Sequence, residues 1–235
     1  MKIIHLWSSP RNVSTAFMYS FAQRTDTRVI DEPLYAHYLS KSQVQHPGQD
    51  EILASQEQDG DQVIKEIMSI NSAEVVFCKQ MTHHLIQMDR SFLSNSLNLL
   101  FIRDPKAIIN SYNKVIPNPT MEDIGIKMQA ELLQELIEKK APYWVIDSAD
   151  LLKNTPTLLS KLCNKLDIPF DQNMLSWKAG PRKEDGIWAK YWYKTVHNST
   201  EFDAYKPKTD VFPEQLVPLL KECQPHYYKI MKLSI

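Results

Sequence analysis

The sequence has no long apolar run, no surplus of charge and almost no cysteine. No stretch reaches the roughly 20 apolar residues that a membrane-spanning helix needs, so no membrane partner is expected. The formal net charge is −1, without the basic surplus of a general nucleic-acid binder, and no nucleic-acid partner is expected either. Cysteine occurs only at Cys78, Cys163 and Cys223. An odd, widely spaced set makes neither a disulfide framework nor a metal-ligand pattern, and it suits core positions in a reducing cytoplasm. Only Lys2 precedes the first apolar segment and no small-residue cleavage site follows it, so no signal peptide is expected. Internal repeats and low-complexity segments are lacking as well.

What is present is a chain of 235 residues, 43% hydrophobic and 23% charged. That is the composition of a globular protein with a sizeable core, read as one domain over residues 1–235. Apolar segments at 2–7, 28–30, 74–79, 97–102 and 143–146 read as strands. Helical patterns at 14–24, 61–70, 105–114, 120–140, 155–166 and 213–231 alternate with them. Thr120 caps the third-last of these helices, with Asp123 at N3. Residues 41–60, rich in Gln, Asp and Ser, read as a loop or a lid. This alternation predicts an α/β fold of three layers, α/β/α, around a mainly parallel sheet. In such sheets ligands sit beyond the carboxyl ends of the strands, so the turns there carry the chemistry.

The first turn is Ser8-Ser9-Pro10-Arg11-Asn12-Val13-Ser14-Thr15. It has the layout of a phosphate-binding loop but neither glycine nor lysine, and Val13 stands where glycine's freedom is expected. A helix N-terminus offers unpaired N–H groups and a positive dipole end. Ser14 and Thr15 add hydroxyls, Asn12 an amide and Arg11 a charge able to grip a phosphate or sulfate. An ordinary capped helix with a surface arginine explains this turn equally well. The fourth strand's turn adds Arg103 at the strand end and Ser111 two turns into the following helix, placed to share one phosphate.

With "PRxxST" followed by "RDPxxxxxSY", the sequence resembles the sulfotransferases that use 3′-phosphoadenosine 5′-phosphosulfate, within a branch of small sulfotransferase-like proteins carrying "DEPLYAHYL". The resemblance implies their fold, related to that of P-loop NTPases. It implies that Arg11, Asn12, Ser14 and Thr15 grip the 5′-phosphosulfate and that Arg103 and Ser111 bind the 3′-phosphate. The stretch "GPRKEDGIWAKYW" is similar to the family's late basic loop, which closes over the 3′-phosphate and adenine. It assigns Arg182, Lys183, Gly186 and Trp188 to the donor, with Glu184 in place of the glycine many members carry. No metal is implied.

Sulfuryl transfer needs a group to accept the acceptor's proton, and histidine suits neutral pH. His83 and His84, after the third strand, are the first candidates, with His83 nearer the strand end. Many cytosolic sulfotransferases have a lysine and a histidine there, which places Lys79 near the donor's bridging oxygen; finishing the strand is its plainer role. Glu32, after the second strand, competes as base, since some carbohydrate sulfotransferases use a glutamate so placed; Asp31 caps or orients. His37 reads as structural. Trp192, Tyr191 and Tyr193 read as rings that staple the C-terminal segment to the core. The acceptor is expected to be a small molecule or a glycan, taken through a hydroxyl or an amine. A P-loop-like kinase or nucleotide hydrolase is the alternative enzyme, but it needs a lysine and a magnesium-binding acid that the turn lacks. A nucleotide-binding relative without turnover is the other alternative.

Overall fold

The computed structural model describes residues 1–42, 44–114, 117–207 and 211–235. Five strands, β1 (Lys2–Ser8), β2 (Thr27–Asp31), β3 (Val75–Met81), β4 (Leu97–Ile102) and β5 (Tyr143–Asp147), form one sheet in the order β2-β3-β1-β4-β5. Every pairing in it is parallel. β1 is central, and apolar at Ile3, Ile4, Leu6 and Trp7 around His5, because both its faces are covered. Its side chains alternate between two cores. Ile3 and Trp7 pack with Val76, Cys78, Leu100 and Ile102 on one face. Ile4 and Leu6 pack with Val75, Phe77, Leu99 and Phe101 on the other.

The helices are α1 (Ser14–Phe21), α2 (Tyr35–Lys41), α3 (Gln49–Ser55), α4 (Gly60–Ser69), α5 (Pro105–Asn113), α6 (Met121–Ile124), α7 (Ile126–Glu138), α8 (Ser148–Lys153), α9 (Thr155–Lys165), α10 (Ala189–Trp192), α11 (Lys194–His197) and α12 (Val217–Met231). α4, α5, α7 and α12 supply the first core. α1, α8 and α9 supply the second, where Phe21 stacks on Phe77 at 4.1 Å. The result is the three-layer α/β/α architecture expected from the alternation. A third, smaller cluster joins Tyr35, Ala36 and Leu39 of α2, Ile52 of α3, and Trp188, Ala189 and Tyr193. It lies across the carboxyl ends of β2 and β3, because Glu32 N donates to Lys79 O there and α2 begins at Tyr35.

Four expectations shift. The helix expected over 120–140 begins with the foreseen Thr120–Asp123 capping box but breaks at Gly125, whose left-handed φ of 72° separates α6 from α7. Residues 41–60 are not simply a loop, since they contain α3; position 43 lies outside the described residues. α8 forms where no helix was expected, with Asp147 accepting from Ala149 N as its cap. α1 stops at Phe21, and Arg24 instead turns back, buried, onto Asp26 and Pro169 O.

Candidate active site

A cavity of about 570 Å³ opens beyond the carboxyl ends of the strands. Arg11, Asn12, Ser14, Thr15, Glu32, Lys79, His83, His84, Arg103, Ser111 and Trp188 all line it. Arg182, Lys183 and Gly186 lie outside that wall. The last three therefore take other partners. Arg182 stands 5.0 Å over the Tyr19 ring and pairs with Glu184 at 3.5 Å. Lys183 is exposed, 3.9 Å from Glu184. Gly186 N donates to Asp31 Oδ2, and a Cβ on it would come within 2.0 Å of the Trp188 ring.

The first and fourth turns meet. Arg11 Nε donates to Ser111 Oγ at 3.1 Å, and Arg103 Nη1 donates to the Arg11 carbonyl. Burial, and next the neighbouring Arg11 charge, holds the Arg103 guanidinium below its usual range. Two like charges so close favour an anion between them. Asn12 fastens the loop, its Nδ2 donating to Phe101 O and its Oδ1 accepting from Val13 N. Among the described residues no side chain caps α1, and its first residues, Ser14 and Thr15, line the cavity, so the helix N-terminus stands at the cavity wall. The left-handed residue in this turn is Arg11, at φ 59°, and not Val13, which sits at φ −89°. An arginine in that region costs roughly 1–2 kcal/mol, and this one puts its side chain on Ser111.

The other wall is built on a buried ion cluster. Lys79 Nζ donates to Asp31 Oδ1 at 2.9 Å, to Glu32 Oε1 at 2.5 Å and to Tyr193 Oη at 2.6 Å. Burial opposes its charge, but Asp31, Glu32 and Tyr193 overcome that and hold the amine well above its ordinary pKa. Burial pushes the Glu32 carboxyl up, and the Lys79 charge pulls against it. Glu32 has φ 39°, a second left-handed non-glycine residue at the site. Strain held at functional residues in this way is common. Lys79 Nζ thus has three partners within the protein while the residue also lines the cavity. Tyr193 Oη also bonds Asp31 and accepts from Trp188 Nε1, so the C-terminal aromatic segment is tied to the sheet by this cluster.

His83 and His84 lie in a short 3-10 turn after β3. His84 is 1% exposed, stacked on Tyr35 and Tyr38, with Nε2 4.0 Å from Glu32 Oε2 and Nδ1 without a partner. Burial and then the neighbouring His83 hold it well below its usual pKa. His83 is half-buried, edge-on to Tyr38, and burial and then His46 lower it to about 4. His37 is structural, as expected: Nε2 donates to Ile86 O, and Nδ1 receives Gly60 N. Trp192, read as a staple rather than as part of the acceptor wall, lines the cavity, as do Tyr35, His46 and Tyr112, which were not singled out. No spacing signals them, since each reaches the wall from a different element. Among the described residues no group of three or more His, Cys, Asp or Glu is arranged to hold a metal ion, and no helix is long and apolar enough to cross a membrane.

The sulfotransferase domain family matches residues 1–234. Two Arabidopsis thaliana proteins named branched-chain-amino-acid aminotransferase-like proteins 1 and 2 are 39% and 38% identical, over 96% and 97% of this chain. The chain spans 41% of the length of each. Three solved structures share the fold. The sulfotransferase domain of the Synechococcus PCC 7002 olefin synthase has a TM-score of 0.55 at 15% identity, with 94% of both chains covered. The sulfotransferase domain from the curacin biosynthetic pathway also scores 0.55, at 17% identity, covering 98% of this chain and 97% of that one. A sulfotransferase from Alicyclobacillus acidocaldarius scores 0.56 at 8% identity, covering 100% and 97%.

Proposed function

Because the chain belongs to the sulfotransferase domain family, we propose that it transfers a sulfuryl group from 3′-phosphoadenosine 5′-phosphosulfate to a hydroxyl or amine of a small molecule or glycan. The observation that carries this reading is the meeting of Arg11, Ser111 and Arg103 beside the uncapped N-terminus of α1. Two guanidinium groups, a hydroxyl and free N–H groups suit the phosphates of such a donor, with Arg103 and Ser111 on the 3′-phosphate and Arg11, Asn12, Ser14 and Thr15 on the phosphosulfate. The donor supplies the sulfuryl group and a bisphosphate leaving group.

The chain's own residues supply position and charge. Arg11 and the α1 N-terminus stabilise negative charge that grows on the leaving phosphate. His83 accepts the acceptor's proton: it is neutral, reaches the cavity, and among the described residues has no hydrogen-bond partner to surrender. Glu32 is held by Lys79, which favours the histidine over it. The three free, buried cysteines support a cytoplasmic setting.

Thermal unfolding tests the donor. Adenosine 3′,5′-bisphosphate is expected to raise Tm at micromolar levels, and ATP with magnesium to raise it less. The reverse ranking overturns the reading.

A further inference from the structure

The two ends of the cavity differ in charge. The donor end carries Arg11, Arg103 and the N-terminus of α1. At the other end the buried cluster holds two carboxylates, Asp31 and Glu32, against one ammonium, Lys79, and is formally −1. Both Asp31 oxygens are occupied, by Lys79, Tyr193 and Gly186 N. Glu32 is 6% exposed, and Oε1 is taken by Lys79. Among the described residues Glu32 Oε2 has no hydrogen-bond donor: His84 Nε2, at 4.0 Å, is too far for one. His84 Nδ1, on the same wall, is also unpartnered. The rings of Tyr35, His84, Trp188 and Trp192 line the same cavity, with Tyr35 stacked on His84 and edge-on to Trp188. The histidines there are held neutral by burial, so among the described residues that line the cavity Lys79 is the cation beside Glu32.

An acceptor that enters this space displaces water from this carboxylate oxygen and must bring a donor to it, or leave it unsatisfied. A charged donor answers best, since charge-assisted hydrogen bonds are about twice as strong as neutral ones and aromatic faces attract cations. We propose that the Glu32 end of the cavity is an ammonium-binding subsite, and that the acceptor is a hydroxyl-bearing amine whose cation lies between Glu32 Oε2 and the Tyr35–Trp192 rings. This rests on the sulfuryl-transfer reading. The acceptor's hydroxyl then loses its proton to His83. Its oxygen forms the new O–S bond, and the S–O bond to the phosphate breaks, its electron pair leaving with the bisphosphate.

Three phenols that differ in charge test this by calorimetry on the full chain saturated with adenosine 3′,5′-bisphosphate: tyramine, 4-ethylphenol and 3-(4-hydroxyphenyl)propanoate. Tyramine is expected to bind about tenfold more tightly than 4-ethylphenol, and the propanoate most weakly. In Glu32→Gln the preference for tyramine over 4-ethylphenol is expected to fall below about twofold. Equal affinities, tighter binding of the neutral or anionic phenol, no binding of tyramine, or a preference that survives in Glu32→Gln each overturn the subsite. If Glu32→Gln does not fold, the ranking on the unmodified chain decides. If the bisphosphate itself does not bind, the sulfuryl-transfer reading fails separately, and tyramine against 4-ethylphenol on the bisphosphate-free chain still decides the subsite.

Discussion

Arg11 spends backbone strain to place its side chain on Ser111, and Arg103 holds the same turn by its carbonyl. Replacing Arg103 removes both that tether and a charge from the donor end. Arg103→Ala is expected to weaken adenosine 3′,5′-bisphosphate binding by about ten- to a hundredfold, the worth of a hydrogen bond to a charged group, read by calorimetry. His83→Ala is expected to lower turnover about a hundredfold or more while bisphosphate affinity stays within experimental error. Retained turnover hands the proton to His84 or Glu32. Arg11, Ser111 and Arg103 were legible in the sequence because each sits at a strand end or a fixed helical distance from one. One partner of Lys79 was not: Tyr193 lies 114 positions away in a segment without periodicity. Nor was the strained residue legible, since side-chain identity pointed to Val13, while the contacts of the loop put the left-handed turn at Arg11.

At the scale of elements, two glycines decide how segments approach the site. Gly125 ends α6 and starts α7 with φ 72°, and a Cβ there would touch Ser9 at 3.4 Å. Gly125→Ala is expected to lower stability by about 1–2 kcal/mol, the left-handed penalty, seen as a lower urea midpoint with an unchanged m-value. The sequence-based reading ran the helix through this break, because apolar residues stand on both sides of it, at Ile124 and Ile126. Gly186 lets the backbone pass against the Trp188 ring. Gly186→Ala forces that ring away from Tyr193 and is expected to cost about 1–3 kcal/mol of stability by overpacking, again by urea unfolding. The helices at 105–113 and 155–165 were readable from Pro105 and Pro156, which start them. α8 was not, since its six residues are too few to show a period.

Over the whole molecule, the alternation of strands and helices carried the architecture, because a parallel sheet covered on both faces needs uniformly apolar strands. What such patterning does not carry is which charges end up buried. His5, in the middle of β1, is held neutral between Trp7 and Phe92, and burial lowers it to about 3. Unfolding restores an ordinary pKa near 6.5, so below about that pH the unfolded chain binds a proton that the folded chain refuses. The contribution of His5 is complete above about pH 6.5 and is lost as pH falls toward 3, by up to about 1.4 kcal/mol per pH unit. His5→Phe is expected to flatten the dependence of unfolding free energy on pH between about 4 and 6.5, measured by urea titration at each pH. An unchanged slope rejects the account. Glu32, raised by burial, works in the opposite direction, so the difference between the two chains is the quantity that isolates His5.

The central place of β1 also sets an order in time. Of the five strands it is made first, yet its neighbours are β3 and β4, with Lys2 opposite Val75 and Ile4 opposite Leu97. At 5–20 residues per second of synthesis, β1 waits about 4 to 15 seconds for β3 to be made. During that interval an apolar strand with two open edges has no partner of its own chain. The nascent protein is then most vulnerable to association with other chains, and a pause in translation before residue 75 would lengthen that exposure.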